Sequence, residues 1–201
     1  MKSKTTVDRK AAAAAIDAFL RAIGRDPEGD PSLFETGARV TDAFVDDLCA
    51  GYGVDVRALL AKNVIAPTTI AQDATVGSME VVIVRDLAVT TTCPHHLMPA
   101  TGHATVAFAP AGRILGIGAI GRLVDAFAHR LALQEDIGLQ VTAALVDALG
   151  PLWAGCRLVL SHSCITGRGE RRHGAGVETI SVAGACDRAL AYAILGSGSR
   201  T

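Results

Sequence analysis

Several features that define other classes of protein are scarce in this chain. Only 4% of its 201 residues are aromatic, and the formal net charge is −1. A charge so close to zero gives no basic field for nucleic acid and no polybasic segment for an anionic membrane. No apolar run approaches the roughly 20 residues that a membrane-spanning helix needs. We therefore expect a protein that binds neither nucleic acid nor membrane.

The beginning of the chain lacks the hydrophobic centre of a signal peptide. Residues 1–4 are followed by Thr, Asp, Arg and Lys side chains before a run of alanines. The five cysteines are an odd number, which favours a reducing compartment over a disulfide framework. Both observations predict a cytoplasmic protein. We interpret Cys49, Cys156 and Cys186 as small buried hydrophobic residues.

Hydrophobic residues, by contrast, make up 50% of the chain, enough for the core of one substantial domain. Apolar periodicity predicts helices over 8–23, 33–51 and 55–62, and two more within 119–149 that are separated by a break near 131–134. Runs rich in β-branched residues predict strands over 79–92, 103–109, 156–164 and 177–183. The predicted order is a set of N-terminal helices followed by β–β–α–α–β–β.

This order predicts an α+β fold in which two helices cover one face of a four-stranded antiparallel sheet. We expect a helical region over 1–78, a catalytic domain over 79–190 and a C-terminal tail over 191–201. A four-stranded sheet leaves two unpaired edges, and continuing the sheet between subunits is one way to remove them. A homo-oligomer is therefore expected.

The most informative motif is Cys93-Pro94-His95-His96, read together with the distant Cys164. Cys93 and His96 are spaced to offer a thiolate and an imidazole to one metal ion, and Cys164 is the candidate third ligand. Three protein ligands with an open fourth position are typical of a catalytic zinc. His95 and His162 remain beside the metal as candidate proton-transfer groups, because histidine titrates near neutral pH.

This arrangement points to hydrolysis by a metal-activated water. A plainer interpretation stays open at this stage, namely reduced cysteines in the core with histidines at strand ends. Spacing alone does not show that the two halves of the motif meet in space.

Four other residues are candidates for substrate binding. Gln134 and Glu135 lie near the start of a predicted helix, where Glu135 is either a solvated first-turn acid or a carboxylate that accepts hydrogen bonds from a guanine-like edge. Arg122 and Arg168 are either surface arginines or phosphate ligands, because guanidinium groups pair with phosphate oxygens in a bidentate manner.

With these residues identified, the stretch 11–184 resembles type I GTP cyclohydrolase, the zinc enzyme that begins folate and pterin synthesis. The matching segments occur in the family's order, and the most specific is Cys-x-His-His-Leu-x-Pro at 93–99. The others lie at 22–27, 78–86, 115–117, 122–124, 133–135 and 162–169. The resemblance implies a T-fold, which is the β–β–α–α–β–β unit that assembles into barrels, and a toroidal homo-oligomer, typically a decamer.

The resemblance also implies roles for individual residues. Cys93, His96 and Cys164 match the zinc ligands, and His95 matches the histidine that protonates the purine on its N7 side. A second active-site histidine near the phosphates corresponds to His162. The segment that anchors the guanine edge corresponds to Gln134 and Glu135, and the triphosphate-binding arginines correspond to Arg122 and Arg168.

Several positions depart from the family's pattern, and one of them is the start of the second helix, where the usual Thr-Pro appears as Thr36-Gly37-Ala38. Pro94 stands where an acid is usual, and Gly118 and Ala119 replace a Ser-Lys pair whose lysine meets the triphosphate. Three functions are therefore considered. The first is hydrolytic opening of GTP to dihydroneopterin triphosphate and formate. The second is the same chemistry on a less phosphorylated nucleotide, on a nucleoside or on a free purine base. The third is a non-catalytic oligomer that zinc stabilises.

Overall fold

The computed structural model describes residues 6–66 and 80–197. The chain divides into two compact units, Met1–Ala50 and Gly51–Thr201. The predicted boundary between residues 78 and 79 lies outside the described residues, and the predicted domain limits therefore remain predictions. Among the described residues, no helix is both long enough and apolar enough to cross a membrane.

The first unit is helical, as predicted, but its second helix is not continuous. Helix α1 spans Arg9–Ala22, and the side chain of Asp8 caps its first turn. The predicted helix over 33–51 is instead a 3₁₀ turn at Pro31–Leu33, helix α2 at Thr36–Asp42 and a π-helical stretch at Ala43–Leu48. The backbone at Glu35 has a left-handed φ of 58°, which ends the preceding turn and begins α2 in a new direction.

The second unit contains the predicted β–β–α–α–β–β order. Its elements are α3 (Val56–Ala61), β1 (Val64–Ile65), β2 (Val82–Thr92), β3 (Pro99–Ala109), β4 (Ile114–Leu115), α4 (Ile117–Ala128), α5 (Gln134–Leu149), β5 (Trp153–His162), α6 (Ser163–Thr166), β6 (Val177–Gly184) and α7 (Arg188–Gly196). Four strands form one antiparallel sheet in the order β2-β3-β5-β6, and β1 pairs with β4 in a small two-stranded sheet.

The two long helices lie on one face of the four-stranded sheet. Leu123 of α4 and Ile137 and Val141 of α5 have no exposed surface, and they pack in one cluster with Val106 and Leu158 of the sheet. Burying such apolar side chains removes them from water and supplies most of the driving force for this packing. The predicted T-fold architecture is therefore confirmed, including the break between α4 and α5.

A short helix, α7, covers part of the opposite face of the sheet and was not predicted. Its Ala191 and Leu195 are fully buried in a second cluster with Trp153. Leu195 fits because Gly155 of β5 lies beneath it, and a Cβ added at Gly155 would lie 2.8 Å from a Leu195 methyl carbon. The tail predicted over 191–201 thus begins inside a packed helix.

The prediction that Cys49, Cys156 and Cys186 are small buried residues is confirmed only for Cys156. Cys156 is fully buried, and this burial raises the pKa of its thiol to about 12. Cys49 and Cys186 are only partly buried. None of the three belongs to the group of side chains described below that could hold a metal ion.

Strand β3 begins at Pro99, four residues earlier than the predicted start at His103. The first residues of β3 can pair with β5 because position 102 is glycine. A Cβ at Gly102 would lie 2.0 Å from the carbonyl oxygen of Val159 on β5. Only glycine permits this close backbone approach. A glycine inside a strand usually weakens the sequence signal for that strand, which accounts for the late predicted start.

We expect Gly102→Ala to lower the free energy of unfolding by about 1–3 kcal/mol, the usual cost of overpacking. Urea unfolding followed by far-ultraviolet circular dichroism measures this change. Gly53→Ala is the matched control, because a Cβ at Gly53 has no atom within 4 Å. An unfolding midpoint that is the same in both variants would refute this explanation of Gly102.

Candidate metal centre and active site

The loop between β2 and β3 holds Cys93 and His96 in a fixed turn. The two strands pair up to Thr92 and Pro99, so that the six residues between them form a closed hairpin loop. The N–H of Cys93 donates to the Met98 carbonyl and the N–H of Leu97 donates to the Cys93 carbonyl, both at 2.9 Å. Leu97 has a left-handed φ of 52°, which is uncommon for a residue other than glycine. Such strained backbone is often found at functional sites.

Strand pairing brings Cys164 to the same end of the sheet. Strand β3 lies between β2 and β5, and Ala100 of β3 pairs with His162, the last residue of β5. The hydroxyl of Ser163 donates to the Pro99 carbonyl, which ties the segment after β5 to the start of β3. Because Pro99 also pairs with Thr92, the two halves of the sequence motif meet at this end of the sheet.

The predicted strand over 156–164 does not reach Cys164. The strand ends at His162, and Ser163–Thr166 form a helical turn. This turn, rather than strand periodicity, directs the Cys164 side chain toward Cys93.

The ligand atoms of Cys93, His96 and Cys164 all lie within 4.8 Å of one another. The Cys93 Sγ and His96 Nδ1 atoms are 3.9 Å apart. A tetrahedral zinc, with Zn–S near 2.3 Å and Zn–N near 2.0 Å, would hold such atoms about 3.5–3.8 Å apart. Two thiols and one imidazole are also the donor types that zinc prefers. The three residues therefore fit a divalent zinc ion.

The electrostatics of this cluster favour a cation. Burial raises the pKa of the Cys164 thiol, and the adjacent Cys93 thiol raises it further. The positive charge of Arg168 acts in the opposite direction. Two thiols close together resist ionisation because each thiolate repels the other, whereas a bound divalent cation stabilises both thiolates.

His95 lies beside the cluster without belonging to it. Its Nδ1 atom is 4.0 Å from Cys93 Sγ, and its ring packs edge-on against His96 with the ring centroids 6.4 Å apart. The side chain is exposed, as expected of a group that meets a ligand from solvent. The geometry thus places an exposed imidazole next to the candidate metal position.

His162 and Gln134 form a hydrogen-bonded pair under the site. His162 Nε2 and Gln134 Oε1 are 2.8 Å apart. Gln134 is the first residue of α5, and it is only 3% exposed. Its Nε2 atom donates into the sheet, where the acceptors are the carbonyl oxygens of Leu158 and Val177 and the hydroxyl of Thr179. The side-chain amide of Gln134 therefore bonds to protein groups at both ends.

The other predicted substrate residues are exposed. Glu135 lies in the first turn of α5, next to the buried Gln134. Arg168 is close enough to Cys164 to affect the pKa of its thiol. Arg122 donates to the side-chain oxygen of Asn63 at 3.1 Å. Within the described part of the chain, the cluster thus has Arg168 beside it, whereas Arg122 bonds to Asn63, the residue before β1.

Comparison with known proteins decides the family. The GTP cyclohydrolase I family profile matches residues 12–194. The chain belongs to the GTP cyclohydrolase I family. The matched region includes the candidate metal ligands, His95 and the His162–Gln134 pair, and the protein is accordingly an enzyme of the cyclohydrolase class.

Individual relatives cover most of the chain. A protein named GTP cyclohydrolase 1 from Leptospira biflexa is 36% identical over 169 residues, which is 84% of this chain and 86% of that protein. One of the same name from Allorhizobium ampelinum is 35% identical, covering 88% of this chain and 83% of that protein. A third, from Leifsonia xyli, is 34% identical over 97% of this chain and 99% of that protein.

In this member of the GTP cyclohydrolase I family, sequence reasoning missed the inward orientation of Gln134. A signal for it was present, because Gln134, Ile137, Gly138 and Val141 follow the spacing of one buried helix face. A polar residue on such a face needs internal hydrogen-bond partners. Which partners those are depends on the sheet beneath the helix, which the helix sequence alone does not reveal.

Proposed function

We propose that this protein binds zinc through Cys93, His96 and Cys164 and opens the imidazole ring of GTP at C8, giving formate and dihydroneopterin triphosphate. The observation that carries the proposal is the convergence of the three candidate ligand atoms beside the exposed imidazole of His95. Membership of the GTP cyclohydrolase I family supports GTP as the substrate. Relatives with this activity in their names support it as well.

A zinc ion bound there would act as a Lewis acid and lower the pKa of a water molecule toward about 7. The chain's own groups would complete the chemistry. His95 is placed to donate a proton to the N7 side of the purine, which makes C8 more electrophilic. In this role His95 needs to be exposed and close to the residues that would hold the metal, and its exposure and its 4.0 Å distance from Cys93 Sγ support this.

Substrate binding is assigned to the charged residues around this centre. The carboxylate of Glu135 is placed to accept hydrogen bonds from the N–H and exocyclic amine of guanine, and its position in the first turn of α5 leaves it exposed. Arg168 and Arg122 are assigned to the phosphates. Arg168 is supported by its proximity to Cys164, and Arg122 only by the family's pattern.

A homo-oligomer, with a decamer as the expected size, is part of the proposal. Among the described strands, β2 and β6 each pair on one side only, which leaves two sheet edges for neighbouring subunits. Pairing these edges between copies would remove a surface prone to nonspecific aggregation. Analytical ultracentrifugation of the purified protein tests this part directly.

A second candidate function, opening of a less phosphorylated purine, is favoured by residues 118 and 119. Ala119 is only 1% exposed and packs in the main core, and Gly118 carries no side chain. No cation reaches the phosphates from either position. Losing one lysine weakens binding of a highly charged ligand more than binding of a neutral one.

A substrate panel separates the two candidates. Zinc-loaded protein is given GTP, GMP, guanosine and guanine, and formate release is measured as kcat/KM for each. The first candidate predicts a clear preference for GTP, and the second predicts equal or higher values for the less phosphorylated compounds. Gly118→Lys is a useful companion, because position 118 is exposed and a Cβ there meets only an Arg122 nitrogen at 3.8 Å. Under the second candidate this variant shifts the preference toward GTP.

A further inference from the structure

The orientation of the Gln134 side-chain amide is fixed by its surroundings. Its Nε2 atom lies 2.9 Å from the Val177 carbonyl oxygen and 3.1 Å from the Leu158 carbonyl oxygen. Carbonyl oxygens only accept hydrogen bonds, so that the amino group of Gln134 must face them. Turning the amide over would place its oxygen against two other oxygens in a site that is nearly closed to water. The hydroxyl of Thr179, at 3.2 Å, accepts at the same end.

This orientation determines which atom of Gln134 faces His162. The amide oxygen Oε1 is directed at His162 Nε2, and the two atoms are 2.8 Å apart. An amide oxygen cannot donate, and a hydrogen bond at this distance therefore requires a hydrogen on Nε2 of the imidazole. In the neutral ring the lone pair is then on Nδ1.

We propose that Gln134 is a positioning residue that holds His162 as its Nε2–H tautomer, so that Nδ1 is the nitrogen that accepts a hydrogen bond from the substrate. This role rests on the proposed function in one respect only, because it assumes that His162 acts on the substrate. The family resemblance instead assigns Gln134 to binding the edge of guanine. Our proposal differs from that role, because both ends of the Gln134 amide are already hydrogen-bonded within the protein.

The sheet makes this arrangement rigid. Leu158 lies on β5, the strand that ends in His162, while Val177 and Thr179 lie on the neighbouring strand β6. Gln134 at the start of α5 thus connects both strands to the imidazole ring through one side chain. For a histidine that binds a metal ion, an outer partner that fixes its tautomer and orientation contributes about 10–100-fold to activity, and we expect an effect of the same size for His162.

The first test reads the tautomer without any turnover. Magic-angle-spinning NMR of zinc-loaded protein, labelled with ¹⁵N at histidine, distinguishes the Nε2–H from the Nδ1–H form, and His162→Gln identifies the His162 signals. We expect the Nε2–H form in the unaltered protein at a pH where the ring is neutral. An Nδ1–H form would overturn the proposal, whether or not the protein acts on GTP.

The second test uses Gln134→Met, which keeps the length of the side chain and removes both hydrogen-bonding ends. We expect the His162 tautomers to become mixed and kcat for formate release to fall about 10–100-fold. KM and zinc content are expected to stay near their original values. Gln140→Met is the matched control, since Gln140 is an exposed residue of the same helix. An unchanged kcat in Gln134→Met with altered tautomers would also overturn the proposal.

The two tests separate this inference from the proposed function. If the unaltered protein has the Nε2–H tautomer and releases no formate from any purine, the proposed function fails while the tautomer assignment stands. If Gln134→Met does not fold, as judged by its thermal unfolding, the tautomer measurement on the unaltered protein decides by itself.

Discussion

Replacing His95 with alanine is expected to reduce formate release from GTP about 10²–10⁴-fold, the usual contribution of a positioned general acid. Zinc content is expected to stay at one ion per chain. The reason is that His95 lies beside the cluster but is not one of its three ligand residues. Turnover under saturating GTP and metal analysis by inductively coupled plasma mass spectrometry measure the two quantities on the same sample.

His173→Ala is the matched control for this experiment, because His173 is an exposed histidine in the loop before β6. It should change neither quantity. If His95→Ala lost zinc, His95 would be a metal ligand and the assignment of the cluster would be wrong. If it bound zinc and kept full turnover, the protein would use another proton donor.

Replacing Cys164 with alanine is expected to abolish stoichiometric zinc binding and ring opening together. The substitution removes one of three ligands and the negative charge of a thiolate. Substituting outer partners of metal ligands already costs about 10–100-fold in affinity, and the loss of a ligand itself should exceed that. Equilibrium dialysis against a zinc buffer gives the affinity. Formate release with excess zinc gives the activity.

The control for Cys164→Ala is Cys186→Ala, which removes another partly buried thiol from outside the ligand cluster. We expect it to bind one zinc ion and to be active. A Cys164→Ala variant that still holds one zinc ion per chain with unchanged affinity would mean that Cys164 is not a ligand.

The order of the elements could be predicted from the sequence because periodicity is strong in this chain. The apolar stripe changes near 131–134, and α4 and α5 are separated there. Helix α7 was missed because it is short and flanked by glycine-containing segments, and what stabilises it is Leu195 packed over Gly155. The second N-terminal helix was predicted to be continuous over 33–51, because nothing in its apolar pattern indicates the left-handed backbone at Glu35.

The site was predictable in its parts but not in its assembly. Residue types and local spacing identified Cys93, His96 and the two histidines. Their meeting with Cys164 depends on the strand register, namely Thr92 with Pro99 and Ala100 with His162. Local pattern does not specify such long-range pairing. For the same reason the inward orientation of Gln134 was missed, because its hydrogen-bond partners lie on two strands that are distant from it in sequence.

Analysis of the products formed by zinc-loaded protein from GTP tests the central claim most directly. Ultraviolet absorbance and mass spectrometry would follow loss of GTP and identify what replaces it. We expect formate and dihydroneopterin triphosphate in equal amounts, with no product after the zinc is removed. Unchanged GTP in the presence of one tightly bound zinc ion per chain would contradict it.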